Sequence, residues 1–192
     1  MFIVLLILIA VIVGWLIVAR NGLVAQKYQV GNAWRQIDVQ LKRRHDLIPN
    51  LVASVKGAMQ HERDTLERVI AARNQAITAQ QSGNVASTAA AEAQLGGALN
   101  KLLAVVEAYP DLKANANVAA LQEELASTEN KIGFARQLYN DTATQYNIRQ
   151  QQFPTNLVAG LAGASPVDLW EIEDGSERAS PTVDLTLGPP SR

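Results

Sequence analysis

A chain of 192 residues, less one apolar N-terminal segment and a polar tail, suits a single domain with one core. It has no cysteine, which excludes disulfides, zinc–thiolate sites, thiol catalysis and lipoprotein-type acylation. Its net charge of −1 hides a gradient: residues 20–60 carry seven Lys/Arg against Asp38 and Asp46, residues 61–153 carry eight against ten acids, and residues 154–192 carry two against six. A basic neck, a near-neutral middle and an acidic tail suit self-association or a membrane surface, and they argue against a nucleic-acid partner.

Alanine, leucine and valine are abundant while aromatics make up only 5% of the chain, which favours helices packed side by side over a sheet sandwich. Phe2 to Ala19 is apolar throughout, with only Gly14 and Trp15 among aliphatic residues. As a helix it rises roughly 27 Å, enough to cross a bilayer core. A cleaved signal peptide is the competing reading. The lack of a basic start and of a small-x-small site before Arg20 favours a retained anchor. Arg20, Lys27 and Arg35 follow the span and nothing basic precedes it except the terminal amine, so the positive-inside rule places Met1 outside and the rest of the chain in the cytoplasm.

From Leu23 an apolar stripe runs through Val30, Trp34, Ile37 and Leu41, the spacing of one helix face. The first helix is expected to leave the bilayer and end near His45. There Lys42, Arg43, Arg44 and His45 form a cationic last turn, Asp46 can cap a new helix and Pro49 is acceptable in its first turn. A single helix kinked at Pro49 is the alternative. The next segment repeats Val52, Val55, Met59, Leu66, Val69, Arg73 and Ile77 on a helical period to about Gln80, and Gln81–Asn84 is a turn. A third helix spans about Ser87–Ala108 with Leu95, Leu99, Leu102, Leu103 and Val106 on its apolar side, and Gly96-Gly97 within it reads as close packing or a bend. Tyr109-Pro110-Asp111 stops it. A last long helix starts near Asn115 and presents Val118, Leu121, Leu125, Ile132, Tyr139 and Tyr146 before Phe153-Pro154.

The expected fold is therefore all-α. An N-terminal transmembrane helix (2–19) continues into an antiparallel up-and-down four-helix bundle (20–153), followed by an apolar segment and a largely extended acidic tail (154–192). In that tail Val167, Leu169, Trp170 and Ile172 are a possible docking segment. The expected lengths conflict: the last helix reaches roughly 55 Å, the soluble part of the first only about 38 Å. Up-and-down topology returns the chain to the bilayer near Phe153, so Phe153, Leu157, Val158 and Leu161 are candidate membrane-proximal contacts.

The chemistry is sparse. His45 and His61 are sixteen apart without the i,i+4 pairing of a helical zinc site, so no metal site is assigned. No nucleophile motif or phosphate loop is present, adjacent Glu123-Glu124 splay apart on a helix, and no catalytic residue or cofactor is assigned. Trp34, Asp38, Lys42, Arg43, Arg44, His45, Asp46, Pro49 and Asn50 are instead expected to fix a helix corner or line an interface between copies.

Residues 33–76 (AWRQIDVQLKRRHDLIPNLVASVKGAMQHERDTLERVIAARNQA), 109–147 (YPDLKANANVAALQEELASTENKIGFARQLYNDTATQYN) and 153–163 (FPTNLVAGLAG) resemble the LemA family. The resemblance covers about residues 21–163, departing at Arg20 and at Ala164, where the family usually has aromatics. It implies a bacterial inner-membrane protein with one N-terminal membrane helix and a soluble four-helix bundle, no enzymatic activity attached to the motif, and a link to a membrane metalloprotease of the HtpX kind. Two roles follow as expectations. The first is a membrane-anchored scaffold that forms homo-oligomers and organises membrane or partner proteins; the alternative is a non-catalytic adaptor of such a protease.

Overall fold

The computed structural model describes residues 1–59, 61–160 and 163–171. Leu161 and the acidic stretch from Ile172 onward lie outside the described residues. Six helices follow in order: α1 (Phe2–Val55), α2 (Arg63–Ser82), α3 (Val85–Glu107), α4 (Pro110–Lys113), α5 (Ala116–Gln151) and α6 (Asn156–Ala159), with no strand among the described residues. Four of them are long and antiparallel, as the apolar periods require. The turn chemistry sets their limits. Gly83 (φ 70°) closes α2, the Asn84 side chain accepts from the Ser87 N–H at the start of α3, and the Asn115 side chain accepts from the N–H groups of Asn117 and Val118 at the start of α5.

The first helix departs from the expectation. It does not end at His45, and Asp46 caps nothing: α1 passes through Pro49 to Val55, and the corner lies between Val55 and Arg63. Proline in a helix interior leaves the carbonyl four residues back without its N–H partner, here His45. Arg73 on α2 supplies the missing donor, its Nε lying 2.7 Å from the His45 carbonyl oxygen. This hydrogen bond removes one of proline's two penalties and lets the helix continue.

Continuity also resolves the length conflict. Of the 54 residues of α1, 18 belong to Phe2–Ala19, which leaves 36, the same number as in α5. Both rods rise about 54 Å. They pack antiparallel along their length, whereas α2 and α3 are 20 and 23 residues long and reach only the distal part.

The bundle consequently has two storeys. In the distal one, all four long helices bury Ile48, Leu51, Val55, Met59, Val69, Leu95, Leu102, Val106 and Val118. In the proximal one, α1 and α5 bury Leu23, Ile37, Leu41, Ile132, Tyr139 and Tyr146, Ala89 at the start of α3 closes its upper edge, and beyond that the place of the hairpin is taken by the chain after Gly163. That chain is an extended strap. Val167 exchanges two hydrogen bonds with the Asn147 side chain (2.8 and 2.9 Å), Trp170 exchanges two with Asn140 (2.8 and 3.0 Å), and the Tyr139 hydroxyl donates to the Asp168 carbonyl at 2.6 Å. Seven helical residues and three extended ones both advance about 10 Å, so the asparagine spacing matches the strap's rise. The docking segment expected at Val167, Leu169 and Trp170 is thus seated on its own α5.

Phe2 to Val18 packs against little. Its large side chains are open, only Trp15 and Leu16 being half-buried, and the helix is long and apolar enough to cross a membrane.

Candidate functional site

The two storeys meet at a buried polar seam. On α1, Arg44 and His45 fall between Leu41 and Ile48; on α3, Glu92 falls between Ala89 and Leu95; on α5, Glu129 falls between Leu125 and Ile132. His45 Nε2 lies 2.6 Å from Glu92 Oε1, and Arg44 Nη1 lies 3.3 Å from Glu92 Oε2 and 3.0 Å from Glu129 Oε2. Arg44, His45 and Glu92 are each nearly sealed from solvent, while Glu129 is half exposed. Gly96 makes room for the guanidinium: a methyl there would meet Arg44 Nη2 at 3.3 Å. The buried Arg44 guanidinium is met by two carboxylates, the condition under which a buried charge is tolerated, and the His45 ring fills the remaining side of Glu92.

A His–carboxylate pair is a common base in catalysis, which needs a nucleophile or an exposed proton to act on. Here the pair is nearly sealed, its polar partner is Arg44, and a cavity of about 470 Å³ lined by Arg44, Glu92, Glu129 and Trp170 lies beside it. No group of three or more His, Cys, Asp or Glu among the described residues has the arrangement of a metal site. The seam ties helices together.

The remaining residues singled out from sequence are dispersed along α1. Trp34 is half-buried in the proximal storey, its ring centroid 5.4 Å from Tyr139 in an edge-on pair and 5.9 Å from Trp170, with Arg136 over the Trp170 ring at 5.2 Å. Asp38 accepts from Gln80 Nε2 at 3.3 Å, and burial pushes its carboxyl above the usual value, opposed by that hydrogen bond. Burial, then the nearby Asp168 charge, raises the Tyr139 hydroxyl. Arg43 pairs with Glu124 at the surface, whereas Lys42, Asp46, Pro49 and Asn50 face solvent as parts of one helix and form no corner. Glu92, Glu129 and Arg73 were not singled out as partners. Glu92 carried a signal: it stands at an apolar-stripe position, 92-95-99-102-106, in an alanine-rich helix.

Two exposed apolar features remain. On the side of the α1–α5 pair away from the hairpin and strap, Val39, Phe134 and Leu138 line a groove of about 460 Å³ flanked by Arg35 and Lys131. Phe134 is 72% exposed there, an unusual state for phenylalanine. At the end of α5 nearest the apolar span, Phe153 and Leu157 are exposed while Val158 is buried against the chain itself, which removes Val158 from the expected membrane contacts.

The sequence matches the LemA family over residues 33–185, and the chain belongs to that family. The match extends 22 residues past the end expected at Gly163. The chain is 24% identical over 157 residues to Magnetosome protein MamQ 2 of Paramagnetospirillum magneticum, covering 70% of this chain and 58% of that protein. It is 22% identical over 156 residues to Magnetosome protein MamQ of Magnetospirillum gryphiswaldense. It is 28% identical over 142 residues to Protein LemA of Metamycoplasma hominis, covering 73% and 63%. The chain thus spans less than two thirds of the length of these relatives.

Proposed function

We propose that this LemA-family protein is a non-enzymatic, single-pass membrane scaffold whose copies associate side by side. The observation that carries the reading is the α1 rod: one unbroken helix, open and apolar from Phe2 to Val18, packed from Leu23 onward, so that the bundle is rigidly continuous with the anchor. Copies held in one bilayer place the Val39–Phe134–Leu138 groove at a common height, roughly 30 Å above Arg20. Burial of these side chains against a neighbour removes apolar surface from water at about 25 cal/mol per Å². Membrane confinement reduces the search to two dimensions, which lowers the affinity each contact must supply. The loop charges favour a cytoplasmic bundle in the inner membrane.

The test is native electrophoresis and electron microscopy of the detergent-extracted chain. A discrete oligomer that dissociates on Phe134→Glu and Leu138→Glu supports the scaffold. A monomer unaffected by both changes refutes it, and co-purification of that monomer with a membrane metalloprotease supports the adaptor role instead.

A further inference from the structure

We propose that the elbow joining α5 to α6 is a second membrane contact, with Phe153 and Leu157 seated at the headgroup boundary and Arg20 and Arg149 holding anionic phospholipid headgroups. The inference rests on the reading of Phe2–Ala19 as a bilayer span and adds a lipid-binding surface to it.

Contacts between α1 and α5 fix the height of the elbow. A methyl on Gly22 would meet Arg149 Nη2 at 2.9 Å, so the Arg149 side chain lies on the α1 backbone two residues above Arg20. The descending α5 then ends at Gln151, two residues past Arg149, and Phe153 follows two residues after that end. α6 packs against α1, with Ala159 in the same core as Leu23 and with Val158 buried. The elbow is therefore held in place at the level where α1 changes from a charged helix to an open apolar one.

The outward side of this elbow is unlike a water-facing turn. Phe153 is 79% exposed and Leu157 64% exposed, although Val158 and Ala159 beside them are buried. An aromatic and an aliphatic side chain presented together at the end of a transmembrane helix match the chemistry of the interfacial zone. Arg20 and Arg149 lie within about 3 Å of each other in height, and neither forms an ion pair among the described residues. Their guanidinium groups are positioned where lipid phosphates lie and can engage them bidentately. Attachment at two places along different helices fixes the tilt of the bundle, which a single anchor leaves free.

The absence of native cysteine makes the test direct. The full chain carrying a spin label at Val11→Cys, Phe153→Cys or Leu157→Cys is reconstituted in vesicles of phosphatidylcholine, with or without phosphatidylglycerol. Collision with oxygen reports lipid, collision with a nickel chelate reports water, and dipolar broadening reports a neighbouring copy. The expected result is high oxygen and several-fold suppressed nickel access at Phe153 and Leu157 without broadening. Phosphatidylglycerol should deepen both, and Arg20→Gln with Arg149→Gln should abolish that deepening. Water-like access at both elbow positions with a lipid-like Val11 overturns the elbow contact alone, and a water-like Val11 overturns the anchor as well. Broadening with low access to both probes assigns the elbow to a second copy and overturns the lipid contact, and deepening that survives the double arginine variant overturns the headgroup site.

Discussion

The hydrogen bond from Arg73 to the His45 carbonyl is what permits α1 to be one helix, and it can be weighed by a double-mutant cycle with Pro49. Proline inside a helix costs about 3 kcal/mol, part for the missing N–H and part for the ring's clash with the preceding turn. Arg73 answers the first part, so Arg73→Ala should leave the His45 carbonyl without its partner and cost roughly 1–3 kcal/mol, in the lower half because Arg73 is only half-buried. Pro49→Ala restores an N–H to that carbonyl and should stabilise the chain. In the Pro49→Ala background Arg73→Ala loses only side-chain packing and should cost less than about 1 kcal/mol, giving a coupling of about 1 kcal/mol. Thermal unfolding of the full chain in detergent, followed by circular dichroism, reads each kcal/mol as about 2–4 °C in a protein of this size. Equal shifts for Arg73→Ala in both backgrounds would show that the two residues are independent and refute the account.

Glu92→Ala should cost about 3–5 kcal/mol by leaving His45 and Arg44 buried with only the half-exposed Glu129, whereas joint replacement of Arg44, His45 and Glu92 by Met, Leu and Leu should recover most of the loss in the same thermal assay. Asp38 binds its proton more tightly folded than unfolded, so the stability it contributes is present at low pH and is lost as pH rises from about 3.8 through its raised value; Asp38→Asn should remove that slope and raise the melting temperature near neutral pH. Trp170→Ala should release the strap, with a loss of about 3 kcal/mol locally. Hydrogen exchange at the Val167 and Trp170 amides should then accelerate while that of Leu95 and Leu102 in the distal core stays slow.

Much of the fold was legible because its signals are local. The helix start near Asn115, Tyr109-Pro110 as a stop and the Gly83-Asn84 turn act through their own backbone, and the apolar run at Phe2–Ala19 speaks for itself. Pro49 was misread because the residue that offsets it, Arg73, is 24 positions away and acts across helices. Arg44 and His45 were assigned to a helix corner or an interface between copies, since the carboxylate they share inside the chain, Glu92, lies 48 and 47 residues on in sequence. The strap was foreseen as a docking segment but not placed, because the matching information is a pair of asparagines seven apart on α5. Each miss is a pairing of polar groups across elements, which periodicity does not encode.

The same pairings explain why the bundle has one open side. The α2–α3 hairpin and the strap both cover the side of the α1–α5 pair that carries Trp34, Ile37 and Ile132, the hairpin from the distal end to just below the polar seam, where Gln80 meets Asp38, and the strap beyond it. Nothing in the described chain covers the opposite side, where Val39, Phe134 and Leu138 sit between Arg35 and Lys131. A hairpin long enough to run the full 36 residues of α5 would have no need of the strap, yet it would still leave that side bare. The uncovered groove is a consequence of building the proximal storey from two helices and one extended segment on a single side. The proposed assembly puts that side to use, and the elbow at Phe153 would hold it perpendicular to the bilayer.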